Sequence, residues 1–383
     1  MPYSFSPSDV AFLRSAEGER ALAACAELPL TDKTRIADVE TARRLVGEHA
    51  SAVLETVVLR RKAAWKLDRT DWLFTSDALQ QASASAVARH RASRLAGRDV
   101  HDVTCSIGAD LAELAKTARR CLGSDVDSVR LAMARFNCPD VPLALADALH
   151  PVSRDAVVVA DPARRDSRGR RWRPEDFAPP LDQLVEAFAG RDLAVKCAPG
   201  LDWSGMSWAA EVELVSLDGT VREACLWSEG LATAGRRATV LRDGTQWTVT
   251  DRDPDDIGAG EPGEWIIDPD GAVVRAGLVK HYGARHGLWQ LDERIAYLTG
   301  AEPPPGVRAF RILEHGAYSE KSLRAQLKRR EVGRLEILVR GLDVDPDALR
   351  KRLKPKGPAE ATVVLTRIGR SPVAFLCEAV RIP

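Results

Sequence analysis

The chain lacks any paired-cysteine signature. Its seven cysteines, Cys25, Cys105, Cys121, Cys138, Cys197, Cys225 and Cys377, are scattered over 383 residues, and none lies in a Cys-x-x-Cys pair. An odd, dispersed set argues against a disulfide framework or a structural zinc site and for reduced thiols. The histidines form no His-x-His or His-x-x-x-His pattern, so no metal site is expected. No apolar run approaches the ~18–20 residues that cross a bilayer. Met1 to Leu13 hold no basic segment followed by an apolar one, so no secretory signal is expected. These absences point to a cytoplasmic protein without a membrane partner. An excess of one charge is missing too: Lys plus Arg total 55 and Asp plus Glu total 55. That balance excludes a histone-like polycation. It leaves nucleic-acid binding open, because a zero sum can hide separated charge blocks. Hydrophobic residues at 45% exclude a disordered chain. The length suggests two or three domains with ample cores.

Three regions follow from the patterning. Residues 1–97 read as helical, with apolar positions such as Val53, Leu54, Val57 and Val58 at three- and four-residue steps. Ser76-Asp77 predicts the start of one helix carrying Ala78 to Leu95, stopped by Gly97. From residue 98 to about 230, short apolar runs alternate with helical stretches. Val100–Cys105, Cys121–Val126, Val141–Leu145, Ala156–Ala160 and Leu193–Cys197 each suit a buried parallel strand. Helices are expected over Ala109–Arg120, Asp127–Phe136 and Pro180–Ala189. Trp208–Leu217, Asp218-Gly219 and Thr220–Trp227 read as a closing hairpin, Asp-Gly being a strong two-residue turn. The expected fold is therefore α/β, a Rossmann-like sheet with an antiparallel last strand. Residues 231–383 form the third region. Its first part, 231–271, reads as turn-rich, and Asp251 to Asp270 hold eight acids against one arginine, a net of −7. Its last part, 302–383, reads as a small α/β module, with Ser319 and Asp345 as helix caps.

Chemistry-bearing residues fall at successive strand ends. The segment Asp102-Val103-Thr104-Cys105-Ser106-Ile107-Gly108-Ala109-Asp110 is a strand end, a tight small-residue loop and a helix start. Small residues let backbone approach a ligand, although one glycine alone is a weak signal. Asp125 ends the second run, where an acid can accept both hydroxyls of an adenosine ribose. Asp127 is more naturally the cap of the next helix. Asp147 follows the third run, where an acid can meet the exocyclic amine of adenine. Asp161-Pro162 follows the fourth, Val157-Val158-Val159-Ala160, at the strand edge where open α/β sheets bind ligands. Proline removes a donor and stiffens the loop.

Four such sites in this order resemble the class I S-adenosylmethionine-dependent methyltransferases. The segment Asp102–Asp110 is similar to the Asp-x-Cys-Cys-Gly-Ile-Gly-Gly-Asp type of trimethylguanosine synthase relatives. Bacterial members of that group carry a helical N-terminal part and a THUMP-like C-terminal domain. Leu79-Gln80-Gln81-Ala82-Ser83, Asp161 to Arg165, Gly169-Arg170-Arg171, Val195 to Gly200 and Pro269 to Leu278 resemble their other blocks. The resemblance implies S-adenosyl-L-methionine as cofactor, with Asp102, Thr104, Cys105, Ser106, Gly108, Asp110, Asp125 and Asp147 around it. It implies Asp161 and Pro162 as the catalytic pair and an RNA nucleobase as methyl acceptor. Two departures stand out. Ser106 and Ala109 occupy usual glycine positions. Ala163 and Arg164 replace a second proline and an aromatic that normally stacks on the target base.

The acceptor side carries a basic block. Residues 163–173 hold six arginines against Asp166, a net of +5, with Trp172 among them. Arginine offers a planar fork for phosphate and stacks on bases, and an interleaved aromatic suits an exposed base. Arg164, Arg165, Arg168, Arg170, Arg171 and Trp172 are accordingly the candidate RNA contacts. Lys196 is a further candidate, for phosphate or cofactor or as a structural strand-end residue. Cys197 beside it is read as packing rather than as a nucleophile. Arg308 to Lys356 hold 14 basic and seven acidic residues, a net of +7, a second candidate surface for an RNA backbone. A DNA or small-molecule acceptor, or a degenerate core that only binds RNA, are the other readings the residues allow.

Overall fold

The computed structural model describes residues 3–163, 165–166, 169–170 and 177–382; of 165, 166, 169 and 170 it describes the backbone alone. The chain divides into two compact units. One holds residues 1–217 and 222–233, the other 218–221 and 234–383.

The first unit opens with helices α1 (Pro7–Leu13), α2 (Ala16–Ala26), α3 (Arg35–Val46), α4 (Ala50–Ala63), α5 (Ser76–Gln81) and α6 (Ser85–Arg94). Ser6 and Ser15 cap the first two through side-chain bonds to backbone N–H groups. Helix α4 is buried over much of its circumference, including Ala52, Val53, Thr56, Val57, Leu59 and Ala63, and so forms the middle of this layer. Its core is continuous with Ile107, Ala109 and Met133. The single helix expected from Ala78 to Leu95 is two helices, α5 and α6, broken at residues 82–84. The cap of the first is Thr75, whose side chain accepts from the N–H of Ala78. The break has a physical reason: Ser83 Oγ leaves the helical path to donate to the buried Glu223 carboxylate at 3.1 Å.

The sheet of this unit contains β1 (Asp99–Asp102), β2 (Arg120–Asp125), β3 (Leu143–Leu145), β4 (Val157–Ala160), β7 (Leu193–Cys197), β8 (Glu211–Leu217) and β9 (Thr220–Trp227). A short ladder, β5 (Arg165–Asp166) with β6 (Gly169–Arg170), stands apart. Helices α7 (Ala109–Thr117), α8 (Ser128–Asn137) and α9 (Leu181–Ala187) link the strands. The spatial order is β8-β9-β7-β4-β1-β2-β3. Strand β1 pairs in parallel with β2 and β4, β2 with β3, and β4 with β7. Strand β9 pairs antiparallel with β7 and lies between it and β8, the expected antiparallel last strand. Val157-Val158-Val159-Ala160 is buried throughout, as a central parallel strand covered on both faces should be. Strand β7 is buried throughout as well, yet contains Lys196.

Helix α6 is bolted to this sheet by ions. Arg94 Nη1 lies 2.7 Å from Glu211 and 2.6 Å from Glu213, with its guanidinium 3.8 Å from the Trp227 ring centre. His90 Nε2 is 2.7 Å from the other Glu213 oxygen. Both acids are wholly buried, and buried charges need such partners.

In the second unit, β10 (Arg236–Arg242) and β11 (Thr245–Thr250) form an antiparallel hairpin over Asp243-Gly244. The turn-rich reading of residues 231–271 missed it. The signal was present, because Asp243 and Gly244 have positive φ like Asp218 and Gly219. Next come β12 (Trp265–Ile267), α10 (Gly271–Arg275), α11 (Val279–Arg285), β13 (Trp289–Gln290), β14 (Leu298–Gly300) and β15 (Arg308–Ala317). The chain ends with α12 (Glu320–Arg329), β16 (Val332–Val339), α13 (Pro346–Leu353), β17 (Ala359–Ile368) and β18 (Ser371–Arg381). Their sheet runs β13-β14-β12-β15-β18-β17-β16. Leu323, Leu327, Leu349 and Leu353 of α12 and α13 pack on one face of it. Ser319 and Asp345 cap these helices as expected.

Candidate active site

Four strand ends converge on one cavity of about 540 Å³ in the first unit. Strand β1 stops at Asp102 rather than Cys105, because residues 103–108 already turn. Ser106 at φ 50° and Gly108 at φ 88° are both left-handed. A serine there carries a strain of about 1 kcal/mol that glycine would not. Asp125 repays it: its Oδ2 accepts the Ser106 N–H at 2.8 Å and its Oδ1 the Asp127 N–H at 2.9 Å. Asp127 caps α8, accepting from Val129 and Arg130. Asp147 is half exposed and accepts the Leu149 N–H at 2.8 Å. Thr104 Oγ1 accepts the Asp161 N–H at 2.7 Å, tying the first loop to the fourth strand end.

The structure brings together Asp102, Thr104, Cys105, Ser106, Asp110, Asp125, Asp147, Asp161 and Lys196 around this space. Gly108 shapes the loop from behind, where a Cβ would meet Cys138 Sγ at 2.8 Å. Pro162 is buried directly after Asp161. Cys197 is buried within β7. Arg164, Arg168, Arg171 and Trp172 lie outside the described residues. Arg165 and Arg170 are backbone partners in the β5–β6 ladder.

One feature corrects the sequence reading. Lys196 does not stand free for a phosphate. It is 5% exposed, with Nζ 2.8 Å from Asp110 Oδ2 and 2.7 Å from Asp161 Oδ2. Asp110 in turn bonds the buried Arg91 guanidinium, which also bonds Glu223. Sequence reasoning missed Arg91, Glu223 and Lys66. Lys66 Nζ donates to the carbonyls of Leu79 at 3.0 Å and Gln80 at 2.9 Å, and Gln81 and Ala82 line the cavity. Phe177 was missed as well. An antiparallel bridge between Ala163 and Ala178 sets this aromatic in the cavity wall.

Electrostatics follow from the crowding of acids. Burial pushes the Asp102 carboxyl up to about 8, and Asp110 adds to the shift. Burial would raise Asp110 too, but Arg91 and Lys196 hold it well below the usual carboxylate range. Burial opposes the Lys196 ammonium, yet Asp110 and Asp161 raise its pKa above that of a free lysine. Burial, then Lys196 and Arg222, bring Lys66 down to about 8. Burial also lifts the Cys105 thiol far above its ordinary value, so it is no nucleophile.

Two proteins from two strains of Mycobacterium tuberculosis, each called an uncharacterized S-adenosylmethionine-dependent methyltransferase, are 52% identical over 355 residues. The match spans 88% of this chain and 99% of each relative. The chain belongs to the S-adenosylmethionine-dependent methyltransferases. A crystal structure from Porphyromonas gingivalis W83, described as a candidate methyltransferase, superposes on this methyltransferase with a TM-score of 0.74. It is 19% identical, covers 99% of this chain and 100% of that one, and shares the fold. A THUMP domain-like family model matches residues 307–379, and a domain of unknown function matches residues 6–63.

The residues present fit the cofactor. The cavity's size is within the ~300–1,000 Å³ of small-ligand sites. Its described lining holds six acids, Asp102, Asp110, Asp125, Asp127, Asp147 and Asp161, against Arg130 and Lys196. S-adenosylmethionine carries a sulfonium and an ammonium against one carboxylate, so its net positive charge suits an acid-rich wall. A buried carboxyl as poorly compensated as Asp102 calls for a cation. Among the described residues no group of histidine, cysteine and acids could hold a metal ion, and no helix is long and apolar enough to cross a membrane.

Proposed function

We propose that this methyltransferase modifies a nucleobase nitrogen, exocyclic or ring, in RNA. The observation that carries the reading is Asp161, followed by the buried Pro162, at the carboxyl end of β4, with Asp161 on the wall of the cofactor-sized cavity. Asp102, Thr104, Cys105, Ser106, Gly108, Asp110, Asp125 and Asp147 would hold the cofactor. Bound there, S-adenosylmethionine supplies a methyl group already activated on its sulfonium. The protein's task is then alignment and exclusion of water. Asp161 Oδ2 is taken by Lys196, so Oδ1 is the oxygen left to accept an N–H from the acceptor base. Pro162 adds no competing donor. Phe177, in the same cavity wall, is an aromatic, which neither Ala163 nor Arg164 is.

RNA is favoured by three features. Six arginines lie within residues 163–173, directly after Asp161. The match at 307–379 is to a THUMP domain-like family. The loop Asp102–Asp110 is similar to that of trimethylguanosine synthase relatives. Against this, the basic stretch 308–356 is less free than its charge suggests. Arg308 pairs with Glu336, Arg329 and Arg330 with Glu314, and Arg352 with Glu320. The arginine block that follows Asp161 in the sequence therefore bears more of the argument.

Mass spectrometry of nucleosides from total RNA, deletion strain against wild type, tests the reading. One methylated nucleoside missing from the deletion names base and atom. Purified protein should restore it to that RNA with labelled S-adenosylmethionine. Asp161→Ala should lower the rate by about a hundredfold or more and leave cofactor affinity within about threefold. Turnover within twofold of wild type refutes the role of Asp161. Methyl transfer to DNA alone refutes RNA as the acceptor. RNA binding with no transfer to any nucleic acid leaves the degenerate-core reading.

A further inference from the structure

We propose that Arg91 and Asp110 are positioning residues of the methyl-transfer reaction: with Lys196 they form a buried ladder that fixes Asp161 and makes the N-terminal helices part of the active site. The proposal rests on Asp161 being the carboxylate that meets the acceptor.

The ladder alternates in sign. It runs Glu223, Arg91, Asp110, Lys196, Asp161. Arg91 Nη2 bonds Glu223 Oε1, and Nη1 bonds Asp110 Oδ1. Asp110 uses its other oxygen, Oδ2, for Lys196 at 2.8 Å. Lys196 then holds Asp161 Oδ2 at 2.7 Å. Ser83 closes the far end, donating to Glu223 Oε2 at 3.1 Å. Arg91 is 2% exposed and Lys196 5%, and the Asp161 side chain is the most open of the five at 26%. The rungs come from α6, the start of α7, the residue after β4, β7 and β9. The residues therefore come from different elements, and the ladder is buried except at Asp161, where it opens on the cavity.

A lysine alone could swing on its four-carbon stem. Here Asp110 takes one of its N–H groups and sets its position before Asp161 is reached. Asp110 is itself set by the rigid fork of Arg91, which has no slack to follow a moving partner. Losing either base leaves the buried acids in excess: without Arg91, Glu223, Asp110 and Asp161 have Lys196 alone. Removing Arg91 draws Lys196 toward Asp110 and away from Asp161. Arg91 does not line the cavity, so its effect on the reaction must pass through the ladder. A misplacement of ~1 Å at the reacting group costs on the order of a hundredfold in rate.

The test has two arms. In the first, the full chain is labelled with 15N-lysine and the ammonium signals are recorded in wild type, Arg91→Met and Arg91→Lys. Lys196, assigned by its absence in Lys196→Met, should give a slowly exchanging signal in wild type. That signal should be lost or strongly shifted in Arg91→Met. Arg91→Lys keeps the charge without the fork and serves if Arg91→Met does not fold. A Lys196 signal unchanged in a folded Arg91 variant overturns the ladder. In the second arm, methyl transfer to RNA from the deletion strain is measured with calorimetric cofactor affinity. Arg91→Met should lower kcat about 10- to 100-fold with cofactor Kd within about threefold. Adding Asp110→Asn should recover at least about fivefold of that loss in kcat at saturating cofactor, the condition Asp110's place in the cavity wall requires, since coupled pairs are not additive. Losses that multiply, or a kcat fall matched by a Kd rise, overturn the proposal. If wild type transfers no methyl to RNA, the acceptor reading fails and the ammonium signals alone decide the ladder.

Discussion

Asp102 offers the sharpest test of the site's electrostatics. Its carboxyl is 3% exposed, faces Asp110, and is pushed up to about 8 by burial first and Asp110 second. The unfolded chain releases this proton near 4 and the folded chain only near 8. The carboxyl's contribution is thus fully present below about 4 and is lost as pH climbs toward and through 8. At about 1.4 kcal/mol per pH unit, the ionised form costs on the order of 5 kcal/mol. Asp102→Asn removes that cost and keeps the bond that Oδ1 accepts from the Thr104 N–H at 3.2 Å. Urea denaturation of the cofactor-free variant should therefore show a gain of ~2–5 kcal/mol over wild type at pH 9 and much less at pH 5. The same proton reports on the cofactor. At pH 7 a carboxyl titrating near 8 is about nine-tenths protonated, and a bound cation favours its ionised form. Calorimetry in phosphate and in Tris should show wild type releasing ~0.9 proton more than Asp102→Asn at pH 7, and ~0.1 more at pH 9. The variant should also bind S-adenosylmethionine about tenfold or more weakly. Equal proton release by the two proteins, or no stability gain at pH 9, refutes the reasoning.

Gly108 combines a left-handed backbone, φ 88°, with a Cβ direction blocked by Cys138 Sγ at 2.8 Å. Gly108→Ala should cost ~2–4 kcal/mol, of which ~1 is backbone strain; adding Cys138→Ala should relieve the clash alone, and a pair of strictly additive losses by urea denaturation would contradict this division. Asn137 is buried and joins the helical layer to the loop after β1, accepting from the Leu73 N–H at 2.9 Å and donating to the carbonyls of Leu73 at 3.0 Å and Ile107 at 2.8 Å. Asn137→Ala leaves those groups buried without it, so the expected loss is ~3–5 kcal/mol with weaker cofactor binding, and a loss below ~1 kcal/mol would remove Asn137 from the account.

The strand-end acids were legible because each sits where an apolar run stops, and a buried parallel strand can be read from its run alone. Asp125, Asp127, Asp147 and Asp161 needed no knowledge of distant contacts. The hairpin β10–β11 was legible in principle, since Asp243-Gly244 repeats the signal of Asp218-Gly219. The acidic run beginning at Asp251 drew the reading toward a loop instead. The expected helix from Ala78 to Leu95 failed for a different reason. Nothing within residues 78–95 announces that Ser83 will leave the helix for Glu223, 140 positions later. The ladder is the same case on a larger scale. Arg91, Asp110, Lys196 and Glu223 look locally like a helix-face arginine, a helix-start acid, a strand-end lysine and a hairpin acid. One local clue did exist. Lys196 interrupts Leu193–Cys197, a run apolar enough to be buried on both faces, and a buried ammonium requires anions. Two acids flanking small-residue loops, Asp110 and Asp161, were already on the list of candidates. A lysine on β7, beside β4 and one strand from β1 in the order β7-β4-β1, has both acids within its reach. The run of β7 therefore favours a lysine paired with the Asp161 carboxylate over one that grips a phosphate, and the topology supplies the step that local spacing cannot.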